Sequence, residues 1–124
     1  MILCDTNIFI EIYRGTPGII QALKQIGQGN VAVSDVTCAE LLFGARNKRE
    51  LQLIRKDLNK LTILPIQPGI SAMAVGLIEQ YSLSHKLALP DALIAATAIY
   101  YNINLYTLNI KDFKFLKNVT LHEV

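Results

Sequence analysis

Four carboxylates stand out by context among the ten acids of this 124-residue chain: Asp5, Glu40, Asp91 and Asp112. Asp5 directly follows the apolar run Met1-Ile2-Leu3-Cys4, which reads as a buried strand. Glu40 falls in the first turns of a helix expected after Val31-Ala32-Val33. Asp91 follows Pro90 at a helix start, and Asp112 comes shortly after Leu105-Tyr106-Thr107. Each has a plain structural use. Asp5 can cap a helix with Thr6-Asn7, and Glu40 completes a capping box, Thr37-Cys38-Ala39-Glu40. Asp91 complements a helix dipole, and Asp112 suits a turn. Asp91 argues hardest for chemistry. The helix Asp91-Ala92-Leu93-Ile94-Ala95-Ala96-Thr97-Ala98-Ile99 is apolar all round and therefore buried. An acid at its mouth is costly unless it is paired or bound to a cation. As a contrast, Glu11, Glu50, Asp57, Glu79 and Glu123 lie within helices or at the chain end and read as solvated or ion-pairing residues.

The elements that must position these acids alternate strand with helix. Strands are expected at Met1 to Cys4, Val31 to Val33, Thr62 to Ile66 and Leu105 to Thr107, with Val119 to His122 as a candidate fifth. Helices are expected from Ile8 to Tyr13, from Pro17 (capped by Thr16) to about Gly27, and from Ser34 or Asp35 to Phe43. Three more are expected: Arg46 to Lys60, one from Pro68 carrying Ala72, Val75, Ile78 and Glu79, and one from Pro90. The strands are short and apolar without alternation, as when both faces are covered. The fold class is α/β, a three-layer α/β/α sandwich with a mainly parallel four- or five-stranded sheet, in one domain over residues 1–124. Ligands of an open parallel sheet bind beyond the carboxyl ends of its strands, and helices that follow strands open at that edge. All four acids map there.

Hydrophobic residues make up 52% of the chain and charged residues only 18%, enough apolar matter for a core and too little charge for a disordered chain. The net charge of +2 becomes +6 once the −4 of the four acids is set aside. A basic body around an acidic hole suits a polyanionic substrate held through a cation. Cys4 and Cys38 lack CxxC spacing and a histidine partner, which indicates reduced, buried thiols of a cytosolic protein. The most apolar stretch, Leu87 to Tyr101, is broken by Pro90 and Asp91 and falls short of the roughly 18 residues of a membrane span. No secretory signal precedes it. His85 and His122 sit in no catalytic or metal motif, and no nucleophile elbow or P-loop is present.

In sequence, Ile2-Leu3-Cys4-Asp5-Thr6-Asn7 resembles the opening hydrophobic-Asp-Thr/Ser-Asn motif of the PIN-domain family, in particular the VapC-type toxins of toxin–antitoxin pairs. The segment Ser34 to Gly44 is similar to the one carrying that family's second acid. Pro90 to Ala98 is similar to its third-acid helix, and Thr107-Leu108-Asn109-Ile110-Lys111-Asp112-Phe113 resembles its closing TxNxxDF motif. The four segments occur in order along the whole chain, with no departure at the acids.

The resemblance implies a metal-dependent endoribonuclease, usually dimeric and restrained by a cognate antitoxin protein. Asp5 and Asp91 are then expected as the principal ligands of Mg²⁺ or Mn²⁺, with Glu40 and Asp112 completing the shell directly or through water. Thr6, Asn7, Thr107 and Asn109 are expected to orient them, although Thr107 and Asn109 suit a turn equally well. Phe9 and Tyr13 share a helix face, and if they point outward they offer the antitoxin a docking patch. Competing readings are a PIN nuclease of RNA maturation and an inactive PIN-like binding module. A phosphoacceptor signalling domain fits poorly, because Pro65-Ile66-Gln67-Pro68 supplies no acid after the third strand.

Overall fold

The computed structural model describes residues 1–123. Its sheet is wholly parallel, in the order β3-β2-β1-β4, with β1 at Ile2–Cys4, β2 at Val31–Ser34, β3 at Thr62–Leu64 and β4 at Asn104–Tyr106. The central strand β1 sets Leu3 beside Ala32 on one side and Leu105 on the other. None of these three exposes any surface, which is why the strands read as continuous apolar runs. The edge strand β3 is different, with Thr62 exposed and Ile63 and Leu64 half-buried.

Alternation along the strands divides the core into two layers. Cys4, Val31, Val33 and Tyr106 pack with Ile8 and Phe9 of α1 (Thr6–Tyr13), Ala22 of α2 (Pro17–Ile26) and Leu58 of α4 (Lys48–Leu58). Leu3, Ala32 and Leu105 pack with Ile70 and Ala74 of α5 (Pro68–His85) and the alanines of α6 (Leu89–Tyr101). The remaining helix, α3 (Asp35–Phe43), contributes Cys38 and Leu41 to the first layer and packs Val36 against the second. The result is the expected three-layer sandwich. Close approach of α5 to α6 depends on Gly69, where an added Cβ would meet the Tyr100 ring at 2.8 Å. No helix among the described residues is long and apolar enough to cross a membrane.

Several boundaries differ from expectation for local reasons. α1 begins at Thr6 rather than Ile8, because Asp5 occupies the cap and accepts from the Thr6 N–H at 2.7 Å. Thr16 gives α2 no side-chain cap, since its hydroxyl donates to Glu11 Oε1 at 2.8 Å. Ser34 caps α3 by accepting from the Thr37 N–H, so Thr37 and Glu40 do not form a capping box. Asn47 caps α4, which shortens that helix at its start. On α5 the buried positions are Ile70 and Ala74, whereas Val75 is 54% exposed. The candidate fifth strand is a single parallel bridge between Leu105 and Leu121.

Candidate active site

At the carboxyl edge the four acids stand at graded depth. Asp5, at the end of the central strand, is 4% exposed. Asp91, in the first turn of α6, and Asp112, in a 3₁₀ turn at Ile110–Asp112, are half-buried, and Glu40 on the second turn of α3 is exposed. They share one electrostatic environment. The carboxyl of Asp91 is pushed up to about 6, first by burial and then by the charges of Asp5, Asp112 and Glu40. Burial also raises Asp5, opposed by hydrogen bonds from Thr107 and Thr6, while Glu40 and Asp112 push it further up.

Short polar contacts hold two of the acids. Thr107 Oγ1 donates to Asp5 Oδ2 at 2.8 Å, and the Asn109 N–H donates to that hydroxyl at 3.1 Å. Asn7 spans the same loop: its Oδ1 accepts from the Leu108 N–H at 3.3 Å, and its Nδ2 lies 3.4 Å from both Asp5 Oδ2 and Thr107 Oγ1. Thr6 Oγ1 lies 2.7 Å from Glu40 Oε1 and 3.0 Å from Thr37 Oγ1. A hydroxyl has one proton and a carboxylate can only accept, so Thr6 donates to Glu40 and Thr37 donates to Thr6. The structure thus places Thr6, Asn7 and Thr107 on the acids. Asn109 takes part through its backbone, and the buried Thr37 is a positioning residue that sequence reasoning had given only a capping role.

Sequence reasoning also passed over Asp35, which opens α3 at the same edge. Its carboxylate accepts from the Ile66 N–H at 3.2 Å and so ties α3 to the segment after β3. Among the described residues, no comparable hydrogen bond or ion pair reaches the carboxylates of Asp91 or Asp112. Glu11, Glu50 and Asp57 instead pair with Arg14, Arg46 and Lys60.

Two observations bear on a metal. Among the described residues, no three acids, histidines or cysteines stand close enough to enclose one ion as the side chains lie. Yet the acids act on one another: burial first, and then the charges of Asp5, Asp112 and Glu40, push the Asp91 carboxyl up. The second observation decides the fit. A hard cation such as Mg²⁺ keeps several waters and takes only one or two carboxylates directly, so a spread set of acids suits it. Two cavities, of about 490 and 640 Å³, are lined by none of the four acids. The smaller one is lined by Met1, Ala22 and His122 among others. The larger lies between α1, α2 and α4.

Phe9 does not point outward. It is 7% exposed and belongs to the core, whereas Tyr13 is 52% exposed and its hydroxyl donates to Asp57 Oδ2 at 2.9 Å. Both line the larger cavity. Cys4 and Cys38 are free and buried, and burial followed by the Asp5 charge pushes the Cys4 thiol up to about 12. His85 stacks on Phe115 and His122 packs edge-on to Tyr106, away from acid chemistry.

Comparison with known proteins agrees with this geometry. Residues 2–117 match the PIN domain. Ribonuclease VapC10 of Mycobacterium tuberculosis is 32% identical over 124 residues, spanning 96% of this chain and 90% of that protein. Ribonuclease VapC2 of Haemophilus influenzae is 32% identical over 119 residues, spanning 90% of this chain and 89% of its own. Among solved structures, a toxin–antitoxin complex from Klebsiella pneumoniae superposes with a TM-score of 0.82 at 34% identity, covering 100% of both chains. The chain belongs to the PIN-domain family and, within it, to the VapC-type ribonucleases.

Proposed function

We propose that this protein is a Mg²⁺- or Mn²⁺-dependent endoribonuclease that acts as the toxin of a toxin–antitoxin pair. The observation that carries the reading is Asp91: half-buried, without a hydrogen-bond or ion-pair partner among the described residues, and pushed up to about 6 by burial and three neighbouring acids. A place in the first turn of α6 does not offset that cost, and a cation would. Asp5 and Asp91 would hold the ion, with Glu40 and Asp112 joining directly or through water. A bound divalent ion would supply an acidified water and would neutralise charge building on the phosphate oxygens.

The chain's own residues do the rest. Thr107 and Thr6 keep Asp5 in one orientation, and Thr37 acting through Thr6 does the same for Glu40. Glu40, the most exposed of the four, is the one best placed to take a proton from water.

A partner fits the same reading. Solved relatives include VapBC2 of Rickettsia felis, 27% identical with a TM-score of 0.81 and covering 98% of both chains, which was crystallised bound to a DNA fragment from its promoter. In this reading, an antitoxin segment would lie in the groove lined by Tyr13 and Phe9. A homodimer belongs to this reading too, supported by Val75 and Leu83 on α5, which are 54% and 99% exposed.

The test is cleavage of RNA by the purified protein, with Mg²⁺ or with a chelator. Cleavage that needs metal and disappears in Asp91→Asn is expected. Full activity in the presence of chelator would overturn the metal assignment.

A further inference from the structure

Around Asp112 lysines recur at every third position, Lys111, Lys114 and Lys117, through a short 3₁₀ turn at Ile110–Asp112 and the turns after it. Backbone N–H groups of Asp112, Phe113, Leu116 and Val119 each donate to the carbonyl three residues earlier, and that of Lys114 donates to Ile110, four residues back. In such tight turns side chains three apart share a face. One face carries Phe113 and Leu116, 1% and 3% exposed, which anchor the segment in the core. The other carries Lys111, Lys114 and Lys117, all exposed.

The end of α5 joins the same surface. The His85 ring stacks on Phe115, with centroids 4.0 Å apart and planes at 13°, and Tyr81 packs against Phe115 as well. Lys86, the exposed residue that ends α5 in a left-handed turn, directly follows the His85 of that stack. Five residues further on, α6 presents Asp91. Among the described residues none of these four lysines has an ion-pair partner, whereas Arg14, Arg46 and Lys60 each have one. The acid within the segment is Asp112, a member of the active-site cluster.

We infer that Lys86, Lys111, Lys114 and Lys117 form a track that grips the phosphates of a single-stranded RNA and leads it onto the acid edge from the β4 side. This rests on the ribonuclease reading and adds where the substrate strand runs. Anchored, unpaired cations along one surface supply affinity for a polyanion without base selection. They touch none of the reacting atoms, so they act on binding and leave the chemical step alone.

The test compares the full-length protein with Lys86→Glu/Lys114→Glu/Lys117→Glu, leaving Lys111 beside Asp112 in place. Cleavage of a labelled single-stranded RNA oligonucleotide is measured with Mg²⁺ across a salt series. The variant is expected to raise KM at least tenfold with kcat within about twofold. Its log–log salt slope should fall by about 2, from three lost phosphate contacts at ~0.7 each. The Lys→Arg triple variant should restore KM, and an unchanged Tm shows that the fold survives. Fluorescence anisotropy of the same RNA on Asp91→Asn, with and without the three Lys→Glu changes, reads binding without cleavage. An unchanged KM and unchanged anisotropy, while the parent protein cleaves RNA, would overturn the track and leave the ribonuclease reading standing. A parent protein that binds RNA through these lysines yet never cleaves it would sink that reading and keep the track. A lower kcat at unchanged KM would show that the lysines act on chemistry, and would also overturn the proposal.

Discussion

The hydroxyl of Thr107 donates to Asp5 Oδ2 across 2.8 Å, linking two residues 102 positions apart in the chain. The bond joins the loop after β4 to the end of β1 and fixes one oxygen of the most buried acid, while the Thr6 N–H fixes the other. Thr107→Val keeps the shape and removes the donor. Because the lost bond goes to a buried carboxylate, unfolding free energy should fall by about 1–3 kcal/mol, read from urea titration. Cleavage should also fall, with Thr107→Ser restoring both. Wild-type stability in Thr107→Val would show that the bond holds nothing.

Asp91 makes stability depend on pH in a direction opposite to that of a salt-bridged acid. Its folded-state value near 6 lies above the ordinary carboxylate value, so between these the folded chain binds more protons than the unfolded one. Metal-free protein should therefore gain stability from this residue as pH falls from 7 through 6 toward 4, and lose it again as pH rises. Asp91→Asn should flatten that part of the curve and melt at or above the wild-type temperature at pH 7. A parallel pair of pH–Tm curves would remove Asp91 as the source.

Divalent metal should raise the melting temperature of the wild-type protein at pH 7. An ion that binds only the folded cluster stabilises it by mass action, about 2.7 kcal/mol at one hundred times its Kd. Asp5→Asn should respond much less, since it loses the best-held ligand. Equal shifts in both proteins would point to nonspecific binding.

The groove between α1, α2 and α4 calls for a surface probe. Phe9→Ala would hollow the core, at a cost of about 3–5 kcal/mol, and says little about docking. Tyr13→Ala removes an exposed ring and its bond to Asp57. Affinity for the cognate antitoxin should fall at least tenfold while Tm moves by only a few degrees. Undiminished affinity would place the partner elsewhere.

Much of this was legible in the sequence because both signals are local. Apolar runs mark buried strands, and an acid directly after such a run, or at the mouth of an apolar helix, needs no tertiary knowledge to attract notice. What was hidden depends on choices between near-equal alternatives. Asp5 and the Thr6-Asn7 pair could each cap α1, and only the path of β1 decides that Asp5 does. Residues around α5 are apolar on every side, so periodicity could not tell that Ile70 and Ala74 face inward and Val75 outward. Asp35 looked like any first-turn acid until the Ile66 N–H reached it. The hydroxyl relay from Thr37 through Thr6 to Glu40 joins two helices far apart in sequence, and no spacing rule announces it.

The strand order puts the first strand of the chain between the second and the last. Asp5 reaches its working environment only when β4, at Asn104–Tyr106, has docked beside β1 and the Tyr106 carbonyl has accepted the Asp5 N–H at 2.9 Å. During synthesis, a chain whose β4 has not yet left the ribosome has one flank of β1 bare and Asp112 out of reach. Such a nascent chain should be unable to cut RNA, and stalled chains ending before residue 104 can be assayed for cleavage. The order of the strands then works as a clock: the nuclease is born silent beside the RNA that encodes it, and becomes dangerous only once β4 has closed on β1.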